Sequence, residues 1–161
     1  MLDNAIQVNL FLMRYCHMLV ADIPDEHLAE QPHAGINHPA WVLGHLAWTA
    51  DGALAMLGAP KLLPIEWKTL FGSGSKPSSS RPTYPSKEEL LHVVEEGYRQ
   101  AREKAASASP EQLSQPTTNP RVKEILPTSR EMVAFILTGH MGVHLGQVSS
   151  WRRLRGLPPM F

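Results

Sequence analysis

Two stretches rich in proline and small polar residues constrain this chain more than any apolar pattern does. Residues 60–85 carry prolines at 60, 64, 77, 82 and 85 around the run Gly72-Ser73-Gly74-Ser75-Lys76-Pro77-Ser78-Ser79-Ser80. Residues 107–127 carry Pro110, Pro116, Pro120 and Pro127. Proline removes an amide donor and blocks continuation of a helix, so regular elements belong before, between and after these connections. A link between antiparallel neighbours needs only a few residues, whereas roughly two dozen can travel the length of a ~30 Å helix. The first connection therefore predicts second and third helices that run parallel, with room for one short turn of helix over 65–71.

The remaining segments read as four helices, and none carries a comparable strand signal. Over 2–20, Ile6, Leu10, Met13, His17 and Val20 recur every three or four residues, which places His17 on the inward stripe of a first helix ended by Pro24. One further turn fits 25–31. Asn37 or His38 can cap a second helix whose first position suits Pro39; it runs to about 57 and stops at Gly58 and Pro60. Ser86 with Glu88 and Glu89 opens the third helix, and Leu90, Val93, Val94, Gly97 and Ala101 mark its inner face to about 106. Glu95, Glu96, Arg99, Arg102 and Lys104, with His92, read as its solvated face. Thr128 to Glu131 starts the fourth, which reaches about 154, where Arg152, Arg153 and Arg155 suit the negative end of the helix dipole and Gly156 terminates it.

The fourth helix contains the chemistry. His140 and His144 are separated by about 40° around a helix and ~6 Å along it, so both imidazoles can reach one point. With Met132, Ile136, Gln147 and Trp151 they form one face. Two readings are open: hydrogen-bonded core histidines, or two ligands of a metal site. Met141 stands where the His-Glu-x-x-His motif has its glutamate, and no Asp or Glu lies between Met132 and Trp151, so any base must come from elsewhere. His45, in the middle of the second helix beside Trp41, Trp48 and Thr49, is the better candidate for a third ligand; His38 lies at the frayed end. Glycine inside a helix costs on the order of 1 kcal/mol relative to alanine. Gly44 and Gly52 flank His45, while Gly139, Gly142 and Gly146 flank the pair, which predicts close approach of the two helices at these glycines.

Fifteen basic and fifteen acidic residues cancel, which argues against a nucleic-acid or membrane-surface role. The 161 residues suit one domain, spanning 1–161. A single cysteine, Cys16, fits a reducing cytoplasm, with a buried thiol as its simplest role. Asp3, Asn4, Asn9 and Arg14 interrupt the early apolar residues, so no cleavable signal is expected. Residues 31–50 lack charge, yet Pro32, Asn37, His38 and Pro39 exclude a membrane span.

The runs Asn37-His38-Pro39-Ala40-Trp41-Val42-Leu43-Gly44-His45-Leu46-Ala47-Trp48, Gly139-His140 through His144-Leu145-Gly146-Gln147, and Arg152 with Arg155-Gly156-Leu157-Pro158-Pro159 resemble the DinB-like proteins, also called the DinB/YfiT-like metalloprotein superfamily. Order and length agree over nearly the whole chain. The resemblance implies an all-α four-helix bundle of up-down-down-up order, often a homodimer, with a divalent metal on three histidines. Those ligand positions carry over to His45, His140 and His144. The glutamate or histidine that some relatives carry beside the last ligands is replaced here by Val143 and Met141, which leaves proton transfer unassigned. Three neutral imidazoles keep the metal's full charge and leave a coordination position open, the arrangement of a catalytic site. Imidazoles suit zinc, nickel, copper and iron alike; zinc or nickel is the expectation. Relatives include thiol-dependent transferases. Activating a low-molecular-weight thiol needs no carboxylate base, so a thiol-transfer enzyme is the leading expectation, with Trp41, Trp48, Met13 or His17 lining its pocket. A metal-dependent hydrolase, a non-catalytic metal-binding or stress-related bundle, and a bundle without metal are the rivals.

Overall fold

Each of the later long helices begins where its sequence supplies a cap. In the computed structural model, which describes residues 1–161, α1 spans Asp3–Val20 and α2 spans Pro39–Met56. The His38 ring accepts a hydrogen bond from the Trp41 amide as the cap of α2. A short α3, Trp67–Phe71, lies inside the first connection. Ser86 caps α4, Lys87–Ser107, through the Glu89 amide. A capping box of Ser109 and Gln112 nucleates the one-turn α5, Pro110–Leu113, and one of Thr128 and Glu131 opens α6, Ser129–Phe135. The last helix, α7, spans Met141–Leu154. Gly58 and Gly156 stop α2 and α7 at φ 74° and 73°, a left-handed conformation that glycine adopts without a Cβ penalty.

Side-chain contacts fix the directions. Asn9 meets Arg102, His17 meets Glu95 and Lys87 meets the Ile23 carbonyl, so α1 and α4 are antiparallel. Asn9 also reaches Leu137 and Met141, while the Leu19 carbonyl takes a bond from Arg152, so α1 runs parallel to α6 and α7. Asn37 meets Gln147 and His45 meets His140, so α2 opposes α7. His38 at the start of α2 packs on Tyr84, just before α4, and Leu57 at its end meets Gln112, just after α4. The order is therefore up (α1), down (α2), down (α4) and up (α6–α7), as the length of the first connection predicts. No β-sheet forms; a single bridge joins Pro116 and Thr128.

One continuous core of 34 buried apolar residues holds the four long elements together. The buried stripe of α1 is Asn9, Met13, Cys16, Leu19 and Val20, turned from the face that periodicity predicts: Leu10 is exposed and His17 lies half out. Cys16 occupies the core position, and burial pushes its thiol up to about 12. The turn arises because Asn9 is drawn inward by Arg102 on α4, by Leu137 between α6 and α7, and by Met141 on α7. Arg152, expected in the last turn of the helix at the negative end of its dipole, is 1% exposed and bonds the Leu19 carbonyl at 2.8 Å and Asp22 at 2.9 Å, joining the end of α7 to the end of α1.

Candidate metal centre

The helix that carries His140 and His144 is not a uniform α-helix. Between α6 and α7, residues Ile136–His140 form a π-turn, one residue wider than an α-turn. Side chains from other elements serve its carbonyls: Asn9 Nδ2 donates to Leu137 O at 2.7 Å and Tyr98 Oη to Ile136 O at 3.4 Å. Thr138 Oγ1 donates back to Ala134 O at 2.7 Å. Asn9 is in turn held by Arg102, which donates to its Oδ1 at 2.7 Å. The inserted residue changes the rotational phase between Met132 and His140, so the donors that hold the turn also set where the two imidazoles point.

Three imidazoles converge on one space. His45 Nε2 lies 3.3 Å from His140 Nε2, and one ring nitrogen from each of His45, His140 and His144 lies within 4.8 Å of the others. The outward nitrogens define the tautomers. His45 Nδ1 donates to Phe71 O at 2.6 Å. His144 Nδ1 donates to Gln147 Oε1 at 3.0 Å, and Asn37 Nδ2 holds that same oxygen at 3.0 Å. Both rings therefore present an Nε2 lone pair to the centre. His140 has no such anchor, because its Nδ1 is buried without a hydrogen-bond partner. With one proton between them, the inward nitrogens satisfy at most one contact of the cluster; a cation would satisfy all three. This donor set fits a divalent metal.

Electrostatics agree with ligand-competent rings. Burial, then His144 and His45, push His140 down to about 3; burial, then His45, pushes His144 down to about 4; burial lowers His45 as well. All three are neutral at neutral pH. No carboxylate joins the cluster.

Phe71 sits where it does because Gly44 has no side chain. A Cβ on Gly44 would meet the Phe71 ring at 2.1 Å, so the glycine lets the ring lie on α2 and brings its carbonyl to His45. The predicted role of the other glycines is not what the structure shows. Gly52, Gly142 and Gly146 have open space beside them, and Gly139 faces Phe135 of its own helix segment. The helices meet at imidazoles and not through a glycine seam.

Of the other predicted pocket residues, Trp41 is at the site. Its ring stacks on His45 at 4.7 Å and 8°, and its Nε1 donates to Ser75 Oγ at 2.9 Å, which seats the Gly/Ser-rich connection beside the centre. Trp48 lies instead under Lys61. Met13 and His17 line a groove between α1 and α4, where His17 pairs with Glu95 at 2.6 Å. Gln147, noted by position, is the partner of His144. Asn9, Phe71 and the π-turn were missed, and no local pattern marks them.

Two expected results arise here. Asn9→Leu keeps the branched shape but strips the donor from the Leu137 carbonyl and the acceptor from Arg102, costing about 1–3 kcal/mol. Relaxation of the π-turn then weakens metal uptake by about 10–100-fold, the range for loss of a supporting partner; unchanged metal affinity in a folded variant would show that the turn does not position the rings. His38 accepts from the Trp41 amide at Nδ1 and meets Ser78 O through Nε2 at 2.9 Å, so it has no room for a second proton, and burial pushes its pKa down to about 4. The unfolded chain takes up that proton near pH 6.5, so metal-free protein should lose about 3 kcal/mol from this residue between pH 6.5 and 4. His38→Asn retains a cap and should make the stability profile shallower over that window by that amount, leaving the share of the three clustered imidazoles, as measured by urea unfolding.

Comparisons with known proteins follow the same lines. A family profile described as the DinB superfamily matches residues 14–148. A solved structure, YfiT from Bacillus subtilis, superposes with a TM-score of 0.66 at 17% identity, covering 98% of this chain and 89% of that one. It is described as "a probable metal-dependent hydrolase with an unusual four-helix bundle topology". At that identity the likeness shows the fold. No curated protein matches.

Proposed function

This chain belongs to the DinB superfamily, and on that premise we propose that it is a divalent-metal-dependent enzyme of thiol-transfer type with His45, His140 and His144 as ligands. One observation carries the reading: three neutral imidazoles aim at a common point, two of them with their outer nitrogens already hydrogen-bonded, and no carboxylate accompanies them. When bound, a divalent cation supplies positive charge that favours loss of a proton from a thiol or water at its open position. A free thiol titrates near 8.5 and water near 15.7, so a site without a base favours the thiol. The protein's own groups have distinct tasks. Phe71 O and Gln147 Oε1 hold His45 and His144 in the tautomer that offers Nε2, Trp41 shields His45 by stacking, and Ser75 fixes Trp41. His140 and His144 are partly exposed, which leaves a side open to a small-molecule substrate.

Two other readings have their own support. Hydrolysis is favoured by the description of YfiT. A non-catalytic metal-binding bundle is favoured by a cluster that holds three imidazoles and no carboxylate to serve as a base. Zinc- or nickel-loaded protein should consume a low-molecular-weight thiol in the presence of an alkylating electrophile faster than metal-free protein does. Ester or amide hydrolysis without thiol consumption would replace the proposal with the hydrolase, and neither activity would leave the binding protein. No helix is long and apolar enough to cross a membrane. A cytoplasmic location, supported by the lone buried thiol, and a homodimer, supported by exposed Val8, Phe11 and Met18 on one side of α1, complete the proposal.

A further inference from the structure

A second polar site lies on another side of α2. Asp51 is 2% exposed, and its Oδ1 accepts the Leu62 amide at 2.5 Å, which folds the start of the first connection back over the gap between α2 and α4. Its Oδ2 is buried with no hydrogen-bond partner. None of the chain's ion pairs includes Asp51. A buried acceptor without a donor costs about 1–3 kcal/mol, and more when charged.

The carboxylate lines a cleft of about 210 Å³, roughly the liquid volume of seven waters. Leu62, Leu63 and Val93 supply apolar walls; Glu96 also lines the cleft but is already paired with Arg99 at 2.6 Å, which leaves Asp51 as its one unpaired acid. Lys61, next to Leu62, is drawn the other way, its ammonium 5.5 Å from the centre of the Trp48 ring. The cleft thus combines an unsatisfied acceptor, negative charge and an apolar body too small for a drug-sized molecule. About 120° around α2 separates Asp51 from His45, so the cleft is distinct from the metal centre.

We propose that this cleft binds a small organic ammonium ion, its head donating to Asp51 Oδ2 and its short aliphatic chain lying between Leu62, Leu63 and Val93. A charged donor makes the stronger bond to a carboxylate, and the unpaired Asp51 selects a cation over a neutral molecule of the same shape. Full-length protein is titrated with n-butylammonium chloride, and with n-butanol as the neutral isostere, while amide resonances are followed by NMR. Saturable shifts centred on Leu62 and on His92 to Gly97 are expected for the ammonium alone. Asp51→Asn keeps the acceptor for Leu62 and should weaken binding by about 10–100-fold. Val93→Phe fills the cleft and should abolish binding with Asp51 intact. Equal responses to amine and alcohol, undiminished binding by Asp51→Asn, shifts centred on the three imidazoles, or no saturable response would each overturn the proposal.

Discussion

His140→Ala is expected to remove metal retention while leaving the bundle folded. The three rings lie 4.6–5.1 Å apart between centroids, so the loss of His140 leaves two imidazoles, one from α2 and one from α7, where there were three. The change in metal affinity should exceed the roughly 10–100-fold that follows loss of a supporting partner, taking metal content after dialysis from one equivalent to near none. Fold and site separate in this variant, because the deletion also removes a buried nitrogen that has no hydrogen-bond partner. In the unaltered chain, a metal at a thousandfold excess over its Kd adds about 4 kcal/mol to stability. The variant should lose that increment in a thermal scan with and without zinc. Retention of a full equivalent and of the same metal-induced rise in Tm would remove His140 from the site.

Gly44→Ala tests a support that touches no metal. The new methyl would lie 2.1, 2.3 and 2.4 Å from three atoms of the Phe71 ring. Phe71 is fully buried and packed between Trp67 at 4.9 Å and Tyr84 at 5.7 Å, so the ring cannot swing into solvent. Overpacking of this kind costs about 1–3 kcal/mol, and a chain of this size should lose about 2–4 °C of Tm per kcal/mol. Because the Phe71 carbonyl is the partner of His45 Nδ1, the same displacement loosens one ring of the triad and should lower metal affinity by about 10–100-fold. Gly44→Ala combined with Phe71→Leu should recover part of both losses, a coupling that a double-mutant cycle measures. A variant as stable as the parent, or destabilised with metal affinity intact, would refute the link.

Much of the architecture is readable from residue order because its causes are local. Caps at His38, Ser86 and Thr128 satisfy amides within three residues of themselves, and Gly58 and Gly156 end helices by their own backbone freedom. The spacing of His140 and His144 places them on one face before any partner is known. The length of the first connection limits its topology, since a chain that long can cross the bundle. Cys16, read as a buried thiol, lies in the core, whereas His17 one residue later does not, because the rotation of α1 depends on which neighbours attract it.

What the chain determines by itself is therefore the set of helices, their ends, and a histidine pair able to share one point. Tertiary structure alone decides that Asn9 and Tyr98 hold a π-turn open, that Gly44 admits Phe71 to orient His45, and that Arg152 is buried against α1. Each of these rests on a partner from a distant part of the chain. A helical period describes one segment's hydrogen bonds; widening a turn by one residue depends on which side chains arrive from elsewhere to take the carbonyls.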